Sequence, residues 1–118
     1  MLSNVLRLAA SGNVKKAYEL YAAQDFKHHN PYYKGDKASL RKGMEESARS
    51  RPNKEFEVLL VIQEDNFVVV FSRVLPADSD LPVSVVHIMR FDGGFIAELW
   101  DVIMPQPKKM INENGIFL

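Results

Sequence analysis

Two periodicities divide the chain. Up to about residue 49 the apolar side chains recur at helical spacing, and from Glu55 onward they alternate with a period of two. Leu2, Val5, Leu6 and Ala9 form a first short stripe over residues 2 to 10, with Ser3 placed to cap it and Ser11-Gly12 to stop it. Asn13 caps a second predicted helix whose stripe is Val14, Ala17, Tyr18 and Tyr21, and Ala22, Ala23 and Gln24 carry it toward Asp25. Phe26 to Pro31 reads FKHHNP and is expected to be irregular, because a residue before proline is biased away from the helical region. Asp36 caps a third helix over residues 37 to 49, with Leu40, Met44 and Ala48 inward and a mixed-charge face of Arg41, Lys42, Glu45, Glu46 and Arg49 outward.

Four strands follow. Phe56, Val58, Leu60 and Ile62 alternate through Glu55 to Gln63, Glu64-Asp65-Asn66 turns the chain, and Phe67 to Leu75 forms a second strand. After a loop at Pro76 to Pro82, the stretch VVHIMRFDGGFIAELWDVI supplies two more. Helices first and strands second predict an α+β domain: a strongly twisted, four-strand antiparallel meander with about three N-terminal helices on one face.

Two polar residues break the apolar alternation of the last hairpin, His87 in Val83-Val85-His87-Met89-Phe91 and Asp101 in Phe95-Ala97-Leu99-Asp101-Ile103. Whether they share a face depends on the turn between them. A two-residue Gly93-Gly94 loop sets His87 opposite Trp100 and turns Asp101 away. A three-residue loop, Asp92 to Gly94, pairs Phe91 with Phe95, sets His87 opposite Leu99 and leaves Asp101 diagonal to it, roughly 7 to 8 Å away. The apolar residues favour the second register, which gathers Val85, Met89, Phe91, Phe95, Ala97, Leu99 and Ile103 on one side. Val86, Ile88, Ile96, Glu98 and Trp100 then fall on the other, where Arg90 can pair with Glu98 and the apolar remainder suits a dimer contact.

Composition narrows the class. A chain of 118 residues is expected to form one domain, residues 1 to 118. Fifteen basic and fifteen acidic residues cancel without forming blocks, against a nucleic-acid partner. With no cysteine there is no disulfide or thiolate metal site, and no apolar run is long enough to span a bilayer. The first residues lack the pattern of a signal peptide, so the expected location is the cytoplasm.

Three motifs together resemble the SnoaL-like polyketide cyclases of the nuclear-transport-factor-2-like superfamily. FKHHNP is similar to the family's Tyr-Ile-Gln-His-Asn-Pro segment at His29, Asn30 and Pro31. The last hairpin matches at Arg90, Phe91, Gly94, Ile96, Glu98, Trp100, Asp101 and Val102, and the tail at Asn114, Gly115 and Phe117. The resemblance implies a cone in which a curved sheet wraps helices around a deep apolar pocket, commonly dimerising through the sheet. It further implies that Asp101 is the acid-base group of an intramolecular aldol closure, with His87 beside it. Leu99 stands where relatives often have histidine and Met104 where they often have glutamine, which leaves the substrate open.

Such chemistry needs a base for an acidified C–H proton and a donor for the enolate oxygen, and no metal or organic cofactor. Asp101 and His87 are the candidate catalytic residues. His29, Asn30, Tyr18, Phe91, Met89 and Leu99 are the candidate substrate contacts, and the expected ligand is a hydrophobic, carbonyl-bearing small molecule undergoing aldol cyclisation or isomerisation. The rival is a non-catalytic binding or dimerisation module, in which His87 and Asp101 are a buried structural pair and His29 and Asn30 cap the Pro31 turn. His28 is expected to face solvent.

Overall fold

The computed structural model describes residues 21–40, 42, 55–76 and 80–117. Five strands form one sheet: β1 (Ala22–His28), β2 (Glu55–Glu64), β3 (Phe67–Leu75), β4 (Val83–Asp92) and β5 (Phe95–Pro105). Their spatial order is β1-β5-β4-β3-β2. The antiparallel meander expected from the alternation is present as β2 to β5. The first predicted helix lies outside the described residues, as does the second except for Tyr21, which is helical. Of the third, Lys37 to Leu40 and Lys42 are helical. Asp36 caps it as expected: its carboxylate accepts the Ser39 N–H at 2.9 Å and the Ser39 hydroxyl at 2.7 Å.

The fifth strand corrects two expectations. Ala22, Ala23 and Gln24 do not extend a helix, and Phe26 to His28 are not irregular; together they form β1, which runs parallel to β5 along the sheet edge. Ala22 pairs with Ile96 but Lys27 with Glu98, so the ladder is interrupted between them. The buried apolar residues of β1, Ala22 and Phe26, lie four apart, an interval that a helix and a strand share, and the exposed Gln24 between them breaks the alternation that would mark a strand. Hydrogen bonding to β5 overrides the local helical preference of the alanines.

The turn between β4 and β5 is also corrected. Asp92 pairs with Phe95 around a two-residue Gly93-Gly94 loop, with φ of 59° and 85°, the signature of a type I′ turn. Alone, this loop would separate His87 from Asp101. A β-bulge restores them: Phe91 pairs with Ile96 and Arg90 with Glu98, leaving Ala97 as an extra residue. His87 therefore stands directly opposite Asp101 rather than diagonal to it. The two-residue turn itself reverses the two residues between it and the bulge. Phe95, expected inward, is 43% exposed, and Ile96, expected outward, is 1% exposed.

A second bulge at Leu59 does the same to β2. Val58 pairs with Ser72 and Leu60 with Phe71, so Val58 and Val61 pack on the core while Leu60 and Ile62 turn out to solvent. The inner face of the sheet carries the core, in which Val68, Val70, Met89, Phe91, Ile96 and Leu99 pack with Ala22, Phe26 and Leu40.

Because both turn glycines have positive φ, Gly94→Val should cost about 1–2 kcal/mol in urea unfolding, whereas Gly93→Asn should change stability by less than about 0.5 kcal/mol. Equal losses at the two positions would contradict the I′ geometry.

Candidate functional site

On the inner face, cross-strand pairing makes a row of Val70, His87 and Asp101 from β3, β4 and β5. Asp101 Oδ2 accepts a 2.9 Å hydrogen bond from Asn30 Nδ2. Its other oxygen, Oδ1, and His87 Nδ1 are both withdrawn from solvent without a hydrogen-bond partner, as is Ser72 Oγ on β3. Ser72 pairs with Val85 and so is the diagonal neighbour of His87. Burial pushes the His87 pKa below its ordinary value and holds the ring neutral, against the smaller opposing pull of the Asp101 charge.

The end of β1 brings Asn30 to this row. His28 pairs with Leu99, and the His29 N–H donates to the Leu99 carbonyl at 2.9 Å, which carries the chain past the sheet edge beside Asp101. Asn30 then turns the chain, its Oδ1 accepting the Tyr32 N–H at 2.9 Å. That contact commits the carboxamide oxygen and leaves the NH₂ for Asp101. His28 is buried, not solvent-facing: its Nδ1 accepts the Asn30 N–H at 3.1 Å and its Nε2 bonds the Lys34 carbonyl.

His29 goes to the other face. Its ring stacks on Trp100 with centroids 4.8 Å apart and planes 5° from parallel, and Nε2 lies 2.6 Å from Glu98 Oε2. Arg90 pairs with the other oxygen of Glu98 at 3.2 Å, the cross-strand contact expected from the sequence. The His29 hydrogen bond, aided by Arg90, lowers the Glu98 pKa. His29 and Asn30, grouped together in the sequence reading, are thus separated by the sheet edge. Met89, Phe91 and Leu99 lie on the inner face with Asp101 and His87, but fully packed in the core. Tyr18 lies outside the described residues.

Ser72 was missed, although a signal existed: along β3 the buried positions read Val68, Val70, Ser72 and Val74, so one hydroxyl interrupts an apolar stripe. Among the described residues no three of His, Cys, Asp and Glu are grouped to hold a metal ion. Nor is any described helix long and apolar enough to cross a membrane.

A family model for the SnoaL-like domain matches residues 3–99, a span that includes His87 and stops short of Asp101. The chain belongs to the SnoaL-like domain family. Solved structures of similar fold include a candidate SnoaL-like polyketide cyclase from Jannaschia sp. CCS1, with a TM-score of 0.68 at 18% identity over 86% of this chain and 83% of that one. AclR, a candidate hydroxylase from Streptomyces galilaeus, gives 0.67 at 20% identity over 85% and 83%. An NTF2-like protein of unknown function from Burkholderia xenovorans LB400 gives 0.67 at 16% identity over 93% and 84%. These likenesses establish the nuclear-transport-factor-2-like fold, here with a curved sheet of five strands, where the sequence predicted four. Comparison with curated protein sequences gives no match.

The two titrating groups on opposite faces give opposite pH signatures. Folding lowers the His87 pKa, so the unfolded chain binds the extra proton and stability falls as pH drops below about 6.5. His87→Asn should remove that loss when urea unfolding is compared between neutral and mildly acidic buffer. Glu98, with a depressed pKa, adds stability that is fully present above its ordinary value of 4.5 and is lost as pH falls through the folded-state value. Glu98→Gln should flatten the profile below pH 4.5 and leave the His87 step untouched. A wild-type acid profile in either variant would refute the corresponding assignment.

Proposed function

We propose that this SnoaL-like domain is a cofactor-free acid-base enzyme that removes a proton next to a carbonyl of a hydrophobic small molecule, for an aldol cyclisation or an isomerisation. The observation that carries this reading is the unpartnered pair, His87 Nδ1 and Asp101 Oδ1, set on directly opposed residues. A buried polar atom without a partner costs about 1–3 kcal/mol, and a ligand that bonds to both atoms offsets that cost. Structural pairs satisfy each other; these two atoms do not.

The roles follow from the hydrogen bonds. Asn30 occupies Asp101 Oδ2, which leaves Oδ1 to take the C–H proton. A neutral His87 with its proton on Nδ1 donates to the enolate oxygen as charge develops there. The enolate carbon then either attacks a second carbonyl of the same molecule, closing a carbon–carbon bond, or is reprotonated at another carbon. In the cyclisation the new alkoxide takes up the proton that Asp101 removed, which regenerates the carboxylate. The family membership and the cyclase-type fold neighbours support this reaction class. An apolar pocket on the inner face receives the ligand. The outer face, with Val86, Ile88 and Trp100 side by side, forms a homodimer contact in this reading.

Deuterium exchange at the α-carbon of 2-tetralone, a bicyclic hydrophobic ketone, followed by proton NMR, isolates the first step. The wild-type protein should accelerate exchange over buffer, and Asp101→Asn should reduce that acceleration by about 100-fold or more. An Asp101→Asn protein exchanging at the wild-type rate would remove the base from the proposal. Saturable binding of the ketone without any acceleration would favour the binding-only reading.

A further inference from the structure

His28 touches neither His87 nor Asp101 by any hydrogen bond, yet every polar atom of its ring and its backbone N–H is committed. The ring spans the loop that follows β1. Nδ1 accepts the Asn30 N–H at 3.1 Å, so that nitrogen carries no proton; Nε2 carries it and donates to the Lys34 carbonyl. The His28 N–H donates to the Gly35 carbonyl at 3.2 Å, and the adjacent Lys27 bridges Asp36. The loop is therefore closed on the imidazole from both ends. A buried ring, 5% exposed and used at both nitrogens, has no capacity left for substrate.

What the ring fixes is Asn30. Its N–H is held by His28, its Oδ1 by the Tyr32 N–H, and its remaining donor is directed at Asp101 Oδ2. Three contacts determine the carboxamide, and the carboxamide determines which oxygen of Asp101 stays free. We propose that His28 is a positioning residue that acts through Asn30 to select Asp101 Oδ1 as the working oxygen. This inference rests on the acid-base reading of Asp101 for its catalytic consequence, and on the hydrogen-bond chain alone for its structural one. A hydrophobic residue of similar volume would fill the same space without holding Asn30; glutamine, which has an acceptor and a donor at its tip, can replace both ring contacts.

The test uses the full-length, nitrogen-15-labelled protein. In the wild type at pH near 7.5, the assigned His28 ring should show an unprotonated Nδ1 and a protonated Nε2. The side-chain NH₂ of Asn30 should be well dispersed and protected from solvent exchange in the wild type and in His28→Gln. In His28→Leu it should move to the position of a free carboxamide and exchange at least about tenfold faster, while the amides of β3 and β4 keep their dispersion. With 2-tetralone, His28→Leu should slow the catalysed exchange by about three- to tenfold, the worth of one hydrogen bond, and adding it to Asn30→Ala should cause no further loss.

A proton on His28 Nδ1 in the wild type overturns the proposal, and this result does not depend on any variant folding. Retained Asn30 protection in His28→Leu, lost protection in His28→Gln, or losses that multiply in the double variant also overturn it. If the wild-type protein fails to accelerate exchange at all, the functional reading falls, while the Asn30 resonances still decide whether His28 positions that side chain.

Discussion

A strand has two faces and no intermediate, so one surplus residue exchanges everything beyond it. Ala97 is that residue in β5. The Gly93-Gly94 turn, left to itself, would send Asp101 to the outer face and Trp100 into the core; the bulge brings Asp101 opposite His87 and Trp100 opposite Ile88. The turn buries Ile96 and exposes Phe95, whereas the Arg90–Glu98 pair and the inner row of His87 and Asp101 follow from the bulge's place in the ladder. Leu59 does equivalent work in β2, where Val58 and Val61 reach the core and Leu60 and Ile62 do not. Bulges also increase local twist, which suits a sheet that must curve around its own core.

Much of this was legible in the sequence where the information is local. The extents of β2 to β5 agree with the period-two runs to within a few residues, and Asp36 caps a helix as its position suggested. His87 and Asp101 were visible as polar exceptions in apolar stripes, and they do share a face. The reason was not visible, because a three-residue turn and a two-residue turn plus a bulge give the same parity, and only backbone geometry separates them. The β1 strand was invisible for a different reason. Its buried apolar residues, Ala22 and Phe26, lie four apart as they would on a helix, and its partner lies far along the chain in β5. The adjacent histidines show the same limit: His28 and His29 are chemically identical, and only the end of β1 decides that one is buried and the other stacks on Trp100.

The sheet edge at β1 divides the chemistry of one short segment between two environments. His29 joins Glu98, Arg90 and Trp100 on the outer face, and Asn30 joins Asp101 on the inner one. Successive residues on an extended chain point opposite ways, so FKHHNP serves both faces with neighbouring side chains. The outer cluster is an ion pair supported by aromatic stacking, while the inner one is a row of polar atoms that do not satisfy one another. The first arrangement satisfies its own polar groups, and the second leaves His87 Nδ1 and Asp101 Oδ1 without partners.

The parallel seam between β1 and β5 also gives the domain an unequal loop-closure cost. The partners within the meander meet through short hairpin turns or a single short loop, whereas Asn30 meets Asp101 across a sequence separation of 71 residues and His29 meets Glu98 across 69. Entropy lost in closing a chain grows with the length enclosed, so this seam is the costliest contact in the sheet to form. Local hairpin pairing assembles His87 opposite Asp101, and only the long closure adds the side chain that holds Asp101 in place. Asp101 thus gains its Asn30 hydrogen bond only in a chain whose β1 has reached β5, which ties the geometry of the inner row to completion of the fold.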